Sequence, residues 1–178
     1  TTKLQVMAPM EVSGVRLTTV PDEQALRVAL AQEFRVLASL RHPNIVSVLD
    51  YGFDAERQPY FTMEFLPEAL DVAAASRGQP LAQKVELLSQ ILHALTYLHR
   101  RGVLHRDLKP ANILVLATPE GPRVKLLDFG LAVPNRSHRP GAAEVPGTPG
   151  YIAPELLWGQ AATARADLYS LGAVAFEL

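Results

Sequence analysis

The chain has 178 residues, 48% of them hydrophobic and 20% charged, which suits a folded domain with its own core and excludes a disordered tail. A formal net charge of −1 provides no electrostatic footprint for nucleic acid or an anionic membrane. With 0 cysteines there is neither a disulfide framework nor a thiolate metal site, which fits a reducing cytoplasm; apolar runs stop short of membrane-spanning length, and the first residues lack a signal-peptide pattern.

Residues 1–20 alternate weakly, through Val6, Met7, Val12, Val15, Leu17 and Val20, and predict short strands broken at Pro9 and Gly14. Leu26, Leu30, Phe34, Leu37 and Leu40 recur at helical spacing behind Asp22, a suitable N-cap, so a helix is predicted over 22–40. It ends before Pro43, which disfavours helical backbone in the residue ahead of it. Strands over 45–49 and 59–66 follow, joined by a polar turn over 52–58. The alanine-rich stretch 68–76 predicts a short helix closed by Gly78. The strongest helix spans 81–101, with Val85, Leu88, Leu92, Leu95 and Leu98 along one face and Gly102 as its C-cap.

Val103-Leu104 and 113–116 read as short buried strands on either side of a polar stretch, and 124–127 as a strand paired back across a turn at 118–122. Residues 131–150 are rich in Pro, Gly, Ser and Ala without periodicity, a long surface segment of the kind that carries function. The helix predicted over 163–178 is almost wholly apolar, through Leu168, Leu171, Val174, Ala175 and Leu178, and such helices are normally buried in a larger domain. There is no internal repeat. The expected fold class is α+β: a small antiparallel sheet with one helix over 1–66, then a mainly helical part over 67–178, with the boundary near Leu66 and Pro67.

The polar stretch is His105-Arg106-Asp107-Leu108-Lys109-Pro110-Ala111-Asn112. It sets an acid, a cation and an amide on a short loop stiffened by Pro110 and anchored by apolar runs on both sides, a sound way to position groups for chemistry. This stretch resembles the catalytic loop of protein kinases, H-R-D-x-K-x-x-N. Other stretches resemble the family in order and spacing. Asp128-Phe129-Gly130 is similar to its magnesium motif, and Gly147 to Glu155 to the G-T-x-x-Y-x-A-P-E end of its activation segment. Asp167 to Gly172 resembles the start of its buried central helix, and Glu33, Leu37 and His42-Pro43-Asn44-Ile45 its mobile small-lobe helix and exit. On these residues the chain is identified as a member of the protein kinase family, in the style of the bacterial, eukaryotic-like Ser/Thr kinases, with the two-lobed fold cut short at both ends.

The resemblance implies the site. Asp107 accepts or orients the proton of the substrate hydroxyl, Lys109 sits against the γ-phosphate of ATP, and Asn112 and Asp128 supply oxygen ligands to Mg²⁺. Glu64 to Leu66 form the hinge, whose main-chain groups bond the adenine; Met63 is the gatekeeper and Leu114 the pocket floor. Phe129, Gly130, Thr148 and Glu155 belong to the activation segment, and the Thr148 hydroxyl bonds to the Asp107–Lys109 pair, the Ser/Thr-specific pattern. Glu33 expects a lysine partner. Lys3 is preferred for that place, and Arg16 lies closer to the usual spacing. The Gly-rich loop over the ATP phosphates has no match in residues 1–20, and the arginine that normally pairs with Glu155 is not supplied.

His105 is implied to be a packing residue, and His42, His93, His99 and His138 show no metal-ligand spacing. Arg106 either ties the loop to the backbone or pairs with a phosphorylated activation segment, and Ser137, beside Arg136 and Arg139, is either a phosphate acceptor or part of a solvated loop. The implied partners are a protein substrate and further domains of a longer chain, with no nucleic acid and no membrane for this segment. Two functions stay open: a Ser/Thr protein kinase, and a pseudokinase or ATP-binding scaffold without transfer. With apolar faces left open to water, low stability and little activity are expected of these residues alone.

Overall fold

The computed structural model describes residues 38–55, 59–127 and 148–178. These divide into two compact units, one holding 38–41 and 46–65, the other 42–45 and everything described from Leu66 onward. The strands expected in 1–20, most of the helix over 22–40, and Lys3, Arg16, Glu33, Asp128, Phe129, Gly130 and Ser137 lie outside the described residues.

The first unit is built on a two-stranded antiparallel sheet, β1 (Val48–Phe53) and β2 (Pro59–Met63). Both strands differ from the predicted spans. Gly52 and Phe53, expected in the turn, pair with Tyr60 and Pro59, so the ladder runs further toward the hairpin tip. At the other end β2 stops at Met63 rather than Leu66. The β1 register shifts between Val48 and Asp50, which turns Leu49 outward to 52% exposure. A bulge of this kind puts one extra residue on one strand and breaks simple alternation.

The second unit holds a three-stranded antiparallel sheet in the order β3 (Leu70–Asp71), β4 (Ile113–Thr118), β5 (Gly121–Leu126). The helix expected over 68–76 is shorter, α1 (Val72–Ser76), because Leu70 and Asp71 pair with β4. Asp71 then caps the helix, its Oδ1 accepting the Ala74 N–H at 2.7 Å. The predicted strand 45–49 belongs partly here: Ile45 forms an isolated parallel bridge with Leu126, and both are buried. β5 starts at Gly121 and stops at Leu126, so the turn is only Pro119-Glu120. The other edge of β5 is satisfied by neighbours. Leu126 N–H donates to the Asn44 carbonyl at 2.9 Å, Val124 N–H to Gln90 Oε1 at 2.9 Å, and Asn44 Nδ2 to the Val124 carbonyl at 3.0 Å.

Helix α2 (Leu81–Arg100) packs on β5. Its inward face is Leu87, Ile91, Ala94, Leu95 and Leu98, whereas Val85 and Leu92, expected inward, are 54% and 44% exposed. The apolar residues cover more than one stripe of the helix, so periodicity alone admits both faces. Leu87, Ile91, Leu95, Leu98, Ile113, Val124 and Leu126 make the core of this unit, each fully buried aliphatic side chain contributing about 1.5–3 kcal/mol. α3 (Pro154–Leu157) is a short helix that the sequence pattern did not reveal. α4 (Ala164–Glu177) is capped by Thr163, whose Oγ1 accepts the Arg165 N–H at 3.3 Å. Only Ala166, Asp167, Ser170 and Val174 are buried on it, and Phe176 is 94% exposed. The inward stripe of this apolar helix thus carries its two small polar groups. Among the described residues no helix is long and apolar enough to cross a membrane.

Candidate active site

The loop between α2 and β4 is held at each end by backbone geometry. Gly102, at φ 72, lets α2 close in a paired C-terminal motif: its N–H donates to the His99 carbonyl at 3.0 Å and Val103 N–H to the Leu98 carbonyl at 3.1 Å. The chain then runs through Val103 and Leu104 without strand pairing, contrary to the expected strand. Anchoring comes instead from His105 and Leu108, both in the core. These two buried residues, three apart, leave Arg106 exposed and Asp107 half-buried between them. After Lys109 a single 3₁₀ turn, Pro110–Asn112, leads into β4, with Asn112 N–H on the Lys109 carbonyl at 3.0 Å.

The Asp167 carboxylate fixes the loop from below. Its Oδ2 accepts the His105 N–H at 2.9 Å and its Oδ1 the Arg106 N–H at 2.9 Å, while His99 Nε2 lies 2.7 Å from Oδ2. Asp167 is 2% exposed, and both its oxygens find hydrogen-bond donors in the protein. Arg106 sits at φ 68, a left-handed conformation rarely held by a non-glycine residue. Its N–H is tied to the carboxylate, and its side chain is exposed. Asp167 is not among the site residues that the resemblance implies. The signal in the sequence is its place at the head of the Asp167 to Gly172 stretch, which resembles the start of the family's central helix.

Four side chains meet above this support. Lys109 Nζ lies 2.7 Å from Asp107 Oδ2 and donates to Thr148 Oγ1 at 2.9 Å. Thr148 Oγ1 in turn donates to Asp107 Oδ1 at 3.1 Å. Asn112 Nδ2 donates to the Asp107 carbonyl at 2.9 Å and to its Oδ2 at 3.1 Å. Both carboxylate oxygens are therefore held by donors, and the Asp107 side chain is fixed in direction. Thr148 is positioned by a tight turn, closed by Tyr151 N–H on the Thr148 carbonyl at 3.1 Å, with Pro149 second and Gly150 third at φ 97. α4 holds the turn through Ser170 Oγ, which donates to the Tyr151 carbonyl at 2.6 Å, and through Glu177, which accepts from the Tyr151 hydroxyl at 2.7 Å. Burial and the neighbouring Glu177 push the Tyr151 phenol up to about 12, so it stays a hydrogen-bond donor at neutral pH.

Burial pushes the His105 imidazole down to about 4, against the opposing pull of the Asp167 and Asp107 carboxylates. It is neutral at pH 7 and fully buried, the setting of a packing residue rather than a general base. Of the other sequence-based residues, Met63 ends β2 and Glu64 follows it in the first unit, while Leu66 and Leu114 lie in the second, all half-buried. The Glu64 N–H donates to the Ser47 carbonyl at 3.0 Å, so this donor is engaged within its own unit. Glu155 lies in the first turn of α3.

Comparison with known proteins decides the family. The protein kinase domain family matches residues 15–178. The chain belongs to the protein kinase family. It is 45% identical over 151 residues to the serine/threonine-protein kinase Pkn1 of Myxococcus xanthus, covering 82% of this chain and 21% of that protein. It is 37% identical over 155 residues to the serine/threonine-protein kinase PknB of Mycobacterium leprae, covering 83% and 24%. Among solved structures, the PknI kinase domain of Mycobacterium tuberculosis is similar at a TM-score of 0.67 and 32% identity, covering 98% of this chain and 62% of that one. Rad53 residues 1–466, solved in complex with AMP-PNP, is similar at a TM-score of 0.65 and 31% identity, covering 83% and 36%. The chain spans about a fifth to a third of the length of its curated relatives. Protein kinases use ATP, generally with Mg²⁺.

The donor chemistry at the loop suits a hard cation. The Asn112 amide nitrogen is turned to Asp107, which leaves its amide oxygen as the donor on the other side. Among the described residues no group of three or more His, Cys, Asp and Glu side chains forms a metal site.

Proposed function

We propose that the protein is a Ser/Thr protein kinase, which transfers the γ-phosphoryl group of ATP to a serine or threonine hydroxyl of a protein substrate. The observation that carries this reading is the closed network of Asp107, Lys109, Thr148 and Asn112, in which an acid, a cation and a hydroxyl lie within 3.1 Å of one another. Phosphoryl transfer asks the protein mainly for positioning and charge neutralisation. Asp107 orients the acceptor hydroxyl and takes its proton as the oxygen–phosphorus bond forms. The bond from the γ-phosphorus to the bridging oxygen breaks, and ADP leaves. Lys109 offsets the negative charge on the phosphoryl oxygens, and Thr148 keeps Lys109 and Asp107 aligned while the nucleotide and the acceptor are exchanged.

Asn112 and Asp128 are the residues we assign to Mg²⁺, which when bound neutralises phosphate charge. Glu64 to Leu66 form the hinge, with Met63 and Leu114 around the base, and Lys3 pairs with Glu33 on the phosphates. We place the boundary between the small and the large lobe near Leu66 and Pro67. The lengths of the curated relatives favour further domains beyond this region, and the use of ATP together with the absence of cysteine favours a cytoplasmic setting.

The test is transfer of labelled phosphate from Mg-ATP to a generic protein substrate, followed by phosphoamino-acid analysis. Phosphoserine or phosphothreonine is the expected product, and Lys109→Met lowers the rate by about 100-fold. Phosphotyrosine as the main product, or full transfer by Lys109→Met, would overturn this reading.

A further inference from the structure

Beyond Met63 the ladder between β1 and β2 takes one more rung, and half of that rung is a side chain. Val48 pairs with Met63, so Ser47 and Glu64 are the next facing residues. The Glu64 N–H donates to the Ser47 carbonyl at 3.0 Å, and the Ser47 N–H donates to Glu64 Oε1, also at 3.0 Å. In a regular antiparallel ladder such facing residues exchange two main-chain bonds. Here the Glu64 carboxylate accepts from Ser47, and a charged acceptor binds an N–H more strongly than a carbonyl does. The main chain and the side chain of Glu64 are thus both fastened to one residue, at the point where the chain is about to leave this unit after Phe65.

We propose that the Glu64 carboxylate is a positioning residue for base recognition: its clasp on the Ser47 N–H holds the main chain of 64–65 in the orientation that reads the adenine edge. The proposal rests on the protein kinase reading above, in which this segment offers main-chain groups to the base. Glu64 acts through the backbone, and its side chain does not touch the nucleotide. Removing the carboxylate makes the Glu64 carbonyl the nearest acceptor for Ser47 in ladder geometry, which turns that carbonyl toward the strand and away from a ligand. The residue therefore governs which base is bound, more than how tightly phosphates are held.

The experiment is direct binding of Mg-ATP and of Mg-GTP, measured by calorimetry, on the wild type and on Glu64→Ala, Glu64→Asp, Glu64→Gln and Ser47→Ala. Glu64→Ala weakens ATP by about tenfold and GTP by less than about twofold, so the preference for ATP falls by about fivefold or more. Glu64→Asp keeps the charge but shortens the reach by one methylene, and falls with the alanine variant should that one fail to fold. Glu64→Gln keeps an acceptor at the same reach and stays within about threefold, and Ser47→Ala, which keeps the main-chain N–H, is unchanged. Equal losses of ATP and GTP, or wild-type ATP binding by both Glu64→Ala and Glu64→Asp, overturn the proposal. A wild type that binds neither nucleotide overturns it together with the kinase reading. A wild type that binds ATP selectively but transfers no phosphate contradicts that reading alone, and the Glu64 variants still decide the clasp.

Discussion

Asp167→Asn separates the support of the catalytic loop from its chemistry. The native carboxylate, 2% exposed, presents two acceptor oxygens to the N–H groups of His105 and Arg106, each at 2.9 Å, with His99 at 2.7 Å on the oxygen shared with His105. An amide fills the same volume with one oxygen and one NH₂ group. Turned one way, its nitrogen faces the Arg106 N–H; turned the other way, it faces His105 and His99. Either way a buried donor meets a donor, at a cost of about 1–3 kcal/mol. Arg106, held at φ 68, adds about 1–2 kcal/mol of backbone strain that the lost bond no longer offsets. Taking the combined loss as about 3 kcal/mol of loop geometry, kcat falls on the order of 100-fold. Nucleotide affinity changes by less than about threefold, because the residues assigned to the base lie outside this loop. Initial rates at saturating Mg-ATP, alongside nucleotide titration and thermal melting, give all three quantities. A folded Asp167→Asn protein with wild-type kcat would refute the claim that this carboxylate holds the loop.

Thr148→Val removes the hydroxyl that bridges Asp107 and Lys109, and transfer falls by about tenfold, whereas Thr148→Ser retains most of it; steady-state rates distinguish the two. Gly102→Ala costs about 1 kcal/mol in urea denaturation, since a Cβ there meets no atom within 4 Å and the penalty is purely that of φ 72. Burial lowers His105 from 6.5 to about 4, so between those values the folded chain binds fewer protons than the unfolded one. Stability from this group is complete above about pH 6.5 and declines as pH falls toward 4, by about 3 kcal/mol in total. Urea midpoints at pH 7 and 4.5 show the decline, and His105→Leu removes that part of the slope; identical slopes in the two proteins contradict it.

Local order made the large helices legible. Helical periodicity closed by Gly102 gives α2, and a long apolar run gives α4, each within a residue or so of its ends. Strand limits were harder to read, because the pairing partner sets them: Asp71 and Leu70 pair with β4, and Gly52 extends β1 opposite Tyr60. The inward face of α2 keeps the predicted Leu95 and Leu98 but differs in its first turns for a similar reason. Val85, Leu88 and Leu92 satisfy the helical period as well as Leu87 and Ile91 do, and only the position of β5 selects the second set. Motif spacing pointed to Asp107, Lys109, Asn112 and Thr148, whereas their mutual contacts depend on a turn at 148–151 held by Ser170 and Glu177. Asp167 shows the limit most clearly. Its partners lie 61 and 62 residues away along the chain, so no local pattern links it to the loop it supports.

The most direct measurement is phosphate transfer from Mg-ATP to a protein substrate by the wild type and by Asp107→Ala, with nucleotide affinity measured on both proteins. The account predicts transfer by the wild type onto serine or threonine, a loss of about 1,000-fold in Asp107→Ala, and ATP affinity preserved within a few-fold. Transfer by Asp107→Ala at the wild-type rate would contradict the assignment of Asp107 as the group that accepts the proton.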